Sequence, residues 1–190
     1  MPKRKETTET EAQAPPRDTE EGKSSFNTQL ANYIRSGKSG LYVCSYEEVR
    51  VELEFQTIVR YLDSIKEASA AAFSLYTWSI TSGVECVTRP GKIPETEDPM
   101  AMIDQFEKLP DRSILIAKDF HAFLAGDPNP MLVRKLKEAL ARGKLSNRVF
   151  VVLGCSLKLP DELSREMSVV EFRLPDKASL RIVLEGMAKS

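Results

Sequence analysis

At 190 residues and 42% hydrophobic content the chain can bury one good core, and one folded domain is the natural expectation. A formal net charge of −1 supplies no overall field for nucleic acid or an anionic membrane, and no apolar run is long enough to span a bilayer or patterned as a signal peptide. The three cysteines, Cys44, Cys86 and Cys155, form no CxxC pair. With a single histidine they argue against a zinc site, and two of them lie in apolar runs, as suits a reduced cytoplasmic protein.

Residues 1–25 are rich in Lys, Glu, Thr and Pro with almost nothing apolar, so the sequence predicts a disordered, dispensable tail. Its Pro2-Lys3-Arg4-Lys5 tetrad reads as solubilising rather than as an address. The folded domain is expected over 26–190. Phe26, Leu30 and Ile34 mark a short amphipathic helix, and Gly40 to Ser45 a buried first strand. A long helix follows at once, with Val51, Phe55, Ile58, Leu62 and Ile65 on one face and Ser45 and Glu48 as its capping box. Ala72 to Ile80 reads as a second strand, and Ser82 to Pro99 as a loop with a Pro90-Gly91 turn. Asp98-Pro99 opens a short helix carrying Met100, Ile103 and Phe106. Ser113 to Ala117 is a third strand, Met131 to Ala141 a helix, Val149 to Gly154 a fourth strand, Val169 to Leu174 a fifth, and Ala178 to Met187 a closing helix. Continuous apolar strands interleaved with helices imply a parallel sheet covered on both faces.

What the first strand-to-helix turn lacks is informative. In a nucleotide-binding fold a glycine-rich loop ending in Gly-Lys-Ser/Thr stands there, its backbone N–H groups cradling phosphates. Here the pseudo-loop offers Ser45, Glu47 and Glu48, with two carboxylates at a helix N-terminus where an anion would otherwise sit. The Gly37-Lys38-Ser39 triplet is a decoy. It precedes the strand, and the glycine required five residues before Gly37 is Asn32. A helix cap with a flexible turn accounts better for Gly37 and Gly40.

Several phrases occur in the order of the AAA ATPase core. Ser113 to Asp119 resembles the hydrophobic strand ending in a metal-supporting Asp, Asn147 to Ser156 resembles the sensor-1 strand, and Leu159 to Leu163 and Glu171 to Asp176 resemble the segments that follow it. Gly40 to Glu52, Tyr76 to Ser79, Lys118 to Leu124 and Leu157 to Leu163 are more closely similar to a P-loop-less amino-terminal domain of a bacterial and plastid AAA ATPase group. The resemblance spans about residues 27–190. It implies a three-layer α/β/α domain with a five-stranded, mainly parallel sheet in the order 5-1-4-3-2 and a degenerate nucleotide site. Asp119 stands at the metal-supporting position and Ser156 at the sensor-1 position. Phe120 stands where the family's catalytic Glu would activate water, and no lid follows before Ser190. Arg165 falls in the zone from which subunits of the family present an arginine finger to a neighbour.

Taken singly, most of these residues have plainer readings. Asp119 suits a carboxylate capping a neighbouring loop better than a magnesium ligand, and His121, with no partner nearby in sequence, suits loop packing better than general-base work. Cys44 and Cys155 end strands that are neighbours in the family's sheet order, so they are expected to lie close together as structural thiols. Trp78, Tyr76 and Phe73 suit a core strand. Arg134, Lys135, Lys137, Arg142, Lys144 and Arg148 suit a solvated helix face rather than a nucleic-acid patch. Arg165 suits a surface ion pair.

The expectation is therefore a domain that is not itself an enzyme, holds no resident cofactor or metal, and binds ATP with magnesium at most weakly through Asp119. It would serve assembly or partner recruitment as the amino-terminal part of an AAA ATPase, homo-oligomeric in its parent and paired in cis or trans with a working ATPase domain. The end at Ser190 reads as an edge from which a linker would continue. Two alternatives stand beside it. One is a phospho-receiver-like switch with Asp119 as acceptor, and the other an ATP-binding ATPase domain with an unorthodox site.

Overall fold

A computed structural model describes residues 26–172. The tail over 1–25, the end of the expected fifth strand and the closing helix lie outside the described residues.

The first helix, α1 (Phe26–Arg35), buries Leu30, Ala31 and Ile34. Gly37, at φ 77°, ends it in the left-handed region: the Lys38 N–H bonds Tyr33 O at 3.1 Å and the Gly37 N–H bonds Ile34 O at 3.1 Å. That paired geometry is a Schellman cap, which explains the decoy triplet. Gly40 is not part of a flexible turn. It opens strand β1 (Gly40–Cys44), where a side chain would collide with the Glu166 carbonyl oxygen at 2.7 Å.

Helix α2 (Glu48–Ser64) starts later than a capping box at Ser45 requires, and the box is absent. The Ser45 N–H still bonds Gly154 O at 3.0 Å as a continuation of the strand, so its hydroxyl closes the turn instead, accepting from the Glu47 N–H at 2.9 Å. Val51, Phe55, Ile58 and Leu62 are buried as expected, whereas Ile65, past the last turn, is exposed.

Strand β2 (Ser74–Ser79) leads into two strands that the sequence reading placed in a loop, β3 (Gly83–Cys86) and β4 (Gly91–Ile93). They pair antiparallel, β3 with β2 and β4 with β3. Helix α3 (Pro99–Lys108) has Asp98 as its N-cap, whose carboxylate accepts from the Met100 and Ala101 N–H groups. Then come β5 (Ser113–Lys118), a 3-10 turn at Phe120–Phe123, α4 (Pro130–Gly143) capped by Asn129, β6 (Val149–Gly154) and β7 (Met167–Glu171).

The sheet order is β4-β3-β2-β5-β6-β1-β7. The five parallel strands within it run β7-β1-β6-β5-β2, but the expected five-stranded order 5-1-4-3-2 is corrected to a seven-stranded mixed order, because β3 and β4 extend the β2 edge antiparallel. Strand alternation divides the core between two helical layers. Leu41, Val43, Ile114, Ile116, Val149, Val151 and Leu153 pack with α1 and α2. Tyr42, Leu115, Ala117, Phe150 and Val152 pack with α3 and α4. Among the described residues no helix is long and apolar enough to cross a membrane.

Candidate functional site

The carboxyl ends of β1, β5 and β6 converge on one edge, where an open parallel sheet places its ligands. Three residues, Ser45 to Glu47, carry the chain from β1 into α2. The Glu47 carboxylate is ion-paired with Arg50, whose guanidinium also lies 4.1 Å from the centre of the Phe172 ring. Glu48 stands in the first turn of α2.

Next to it, β5 ends at Lys118, whose ammonium group pairs with Glu52 of α2 at 2.5 Å. Asp119 adopts the left-handed region (φ 54°), with its N–H on Leu153 O at 2.8 Å and its side chain 69% exposed. The strand-end carboxylate thus points to solvent while its backbone starts the 3-10 turn. Phe120 goes the other way. It is wholly buried, edge-on to Phe150 at 5.4 Å and to Trp78 at 5.9 Å between ring centres, and tilted against Phe123 at 5.7 Å. Burial of such a ring is worth roughly 1.5–3 kcal/mol.

His121, expected in loop packing, does pack, and at a specific place. Its ring covers Gly154, with its side chain only 15% exposed. Nδ1 is buried without a hydrogen-bond partner and 3.7 Å from an Asp119 carboxylate oxygen, while Nε2 faces the Cys155 sulfur at 3.8 Å. Sequence reasoning missed this grouping because His121 and Cys155 lie 34 residues apart and meet only through the pairing of β5 with β6. The one available signal was Gly154 itself, a glycine ending an apolar strand.

Ser156 contributes its backbone. Its carbonyl accepts the Tyr42 hydroxyl at 2.7 Å, and the same hydroxyl accepts the Lys158 N–H at 3.0 Å. Burial raises the Tyr42 pKa above its usual value, against the opposing pull of the Lys158 N–H. Tyr42 therefore stays a neutral latch holding the 155–158 loop over β1. Cys44, on the same face as Tyr42, is also raised, first by burial and then by the neighbouring Glu171 carboxylate and Cys155.

Arg165 is exposed, and no ion pair joins it to another of the described residues. The basic run of α4 is largely neutralised: Arg134 pairs with Glu138, Lys135 with Asp104, Arg142 with Glu107, Lys144 with Glu166 and Arg148 with Asp111. Glu107 and Asp104 come from α3, which explains why counting charges along α4 alone exaggerates its field.

Residues 26–172 match the family model for the SpoVK-like AAA ATPase, N-terminal domain. Among curated relatives, the uncharacterized AAA domain-containing protein ycf46 of Gracilaria tenuistipitata var. liui is 24% identical over 168 residues, covering 87% of this chain and 32% of the relative. The ycf46 protein of Trieres chinensis is 24% identical over 153 residues, covering 79% and 28%. The chain thus spans about a third of the length of these relatives. Among solved structures, a DNA replication initiation factor superposes with a TM-score of 0.49 at 10% identity, over 85% of this chain and 50% of that one. AMPPCP-bound DnaA from Aquifex aeolicus gives 0.48 at 13% identity, over the same shares. By its match over residues 26–172, the chain belongs to the SpoVK-like AAA ATPase N-terminal domain family.

Proposed function

We propose that this domain is a non-catalytic assembly or recruitment module of an AAA ATPase, joined in its parent protein to a separate domain that hydrolyses ATP. The observation that carries the reading is the Ser45–Glu47 turn, too short to curl around a phosphate and followed by α2 with Glu47 and Glu48 at its N-terminus. The residues present do not fit a nucleotide with its magnesium ion. The Glu47 N–H is taken by the Ser45 hydroxyl, the His121 ring covers Gly154, and Phe120 is buried where a water-activating carboxylate would need to reach the surface. Phosphoryl transfer rests on positioning and electrostatic stabilisation, and neither has a source here.

Recruitment is supported by an apolar patch at the start of α2, where Tyr46 of the preceding turn and Val49 and Leu53 of the helix are 86%, 73% and 54% exposed. Exposed Arg165 is available to a neighbouring subunit. The receiver-like alternative loses support from topology. A receiver sets its acceptor strand beside its first strand, whereas here β6 separates β5, with Asp119, from β1.

Calorimetry with ATP and Mg²⁺ tests the reading. Binding weaker than millimolar and no turnover are expected. Micromolar affinity, or hydrolysis abolished by Asp119→Ala, would overturn it in favour of an unorthodox ATPase. In a protein joining this domain to a P-loop-bearing domain, Arg165→Ala is expected to lower ATP turnover several-fold without changing the melting temperature.

A further inference from the structure

We propose that Cys155 and Cys44 form a peroxide-reactive dithiol site at the edge of the sheet, with His121 as the proton acceptor of the Cys155 thiol. This inference is independent of whether the domain binds nucleotide. It stands on three placements. The Cys155 sulfur is exposed and lies 3.8 Å from His121 Nε2, whose other ring nitrogen faces Asp119. Cys44 is paired in register with Gly154, so Cys155 is the residue immediately after its cross-strand partner. β6 ends at Gly154 and the chain bends at Cys155, which brings its sulfur to the His121 ring lying over Gly154, on the sheet face that Cys44 shares with Gly154. Finally, Tyr42 fixes the loop that follows on the Cys44 side of the sheet through Ser156 O and Lys158 N–H.

The chemistry balances with a hydroperoxide as oxidant. The Cys155 sulfur attacks one peroxide oxygen and the O–O bond breaks. The thiol proton, taken by Nε2, passes to the leaving oxygen, which departs as water when the oxidant is hydrogen peroxide. Cys155 is left as a sulfenic acid. The Cys44 sulfur then attacks the Cys155 sulfur, the S–O bond breaks, and the hydroxide leaves with the Cys44 proton as a second water. Two thiols have lost two electrons to one peroxide, and a covalent bond ties the end of β1 to the end of β6. Burial raises the Cys44 thiol pKa, which leaves the exposed Cys155 as the residue that meets the peroxide first. Cys86 is an internal control, since it lies on β3, beyond β6, β5 and β2 from β1.

The test exposes the full chain to hydrogen peroxide, blocks remaining thiols with N-ethylmaleimide and maps peptides without reduction. The expected product is an intramolecular Cys44–Cys155 link with Cys86 alkylated. Cys44→Ser should arrest the reaction at a Cys155 sulfenic acid that dimedone captures, and Cys155→Ser should leave Cys44 reduced. His121→Ala should slow loss of the Cys155 thiol at least fivefold while the Cys86 rate stays constant. Links through Cys86 or between chains, oxidation of Cys155 no faster than Cys86, or an unchanged rate in His121→Ala would overturn the proposal.

Discussion

Gly154→Ala probes the edge most directly, because it adds one methyl group where the imidazole rests. A β-carbon at this position would approach His121 Cγ to 2.8 Å and Cε1 to 3.1 Å, with Nδ1 closer still. These atoms belong to a ring whose side chain is 15% exposed on a short 3-10 turn, so relief requires the ring to leave Gly154 or the turn to shift. Overpacking of this kind costs about 1–3 kcal/mol. For a domain of this size that lowers the melting temperature by about 2–12 °C. His121→Ala alone should cost little, since it also removes a buried nitrogen that has no partner. The double variant is therefore expected to lie within about 0.5 kcal/mol of His121→Ala, and the coupling between the two sites to exceed about 1 kcal/mol. Urea unfolding followed by circular dichroism measures all four proteins, with an unchanged slope showing that only stability has moved. A neutral Gly154→Ala, or additive effects in the double variant, would refute the placement of the ring.

Two further outcomes follow from the packing. Thr96 is buried and clamps the antiparallel strands: its hydroxyl donates to Ile93 O at 2.7 Å and accepts from the Val84 N–H at 2.8 Å. Thr96→Val should cost about 2–4 kcal/mol by orphaning both groups, Thr96→Ser should restore most of it, and hydrogen exchange at the Val84 amide should report the opening. Lys144 donates to Glu166 at 2.7 Å and that bond is the leading cause holding the Glu166 pKa below its usual range. Because the folded-state value is depressed, the contribution is complete above the unfolded pKa of about 4.3 and is lost as pH falls through the folded value. The stability gap between wild type and Glu166→Gln in urea titrations should therefore narrow on acidification below about pH 4.3 and be flat from pH 5 to 7.

The five parallel strands were legible because strands covered on both faces read as unbroken apolar runs, as Ser113 to Ala117 and Val149 to Gly154 do. β3 and β4 were not, although the alternation of Val84, Glu85 and Cys86 before the Pro90-Gly91 turn carried a hairpin signal. They are short, half exposed and set among prolines and glutamates, so composition outweighed the alternation. The Ser45 capping box failed for a different reason. Its Ser-x-x-Glu spacing is correct, but the strand holds Ser45 through Gly154, and a cap needs a backbone already free to turn. The grouping of His121 with Cys155 was invisible because neither residue has its partner within thirty positions. Strand order alone could suggest only that Cys44 and Cys155 were neighbours.

The same edge shows what holds the sheet together at its carboxyl ends. The bonds that hold β1, β5 and β6 together lie behind their carboxyl ends, in the registers from Gly40 with Phe150 to Cys44 with Gly154 and from Ile114 with Val149 to Lys118 with Leu153. The β1–β6 ladder reaches one residue into the turn that follows β1, where the Ser45 N–H bonds Gly154 O. At the ends themselves, groups are committed to packing: Phe120 to the aromatic cluster, His121 to Gly154, Tyr42 to the 156–158 backbone, Lys118 to Glu52. Replacing Phe120 by Glu would not simply present a carboxylate at this edge. It would exchange roughly 1.5–3 kcal/mol of apolar burial for a carboxylate with no partner in the core, and the cost of an unpaired buried charge exceeds that gain. In the proposed non-catalytic reading, phosphate chemistry at this edge would need a longer glycine-containing turn, an outward carboxylate after Asp119 and displacement of His121 together. The buried Phe120 in particular is not exchanged without loss of stability, so its packing holds this edge in place.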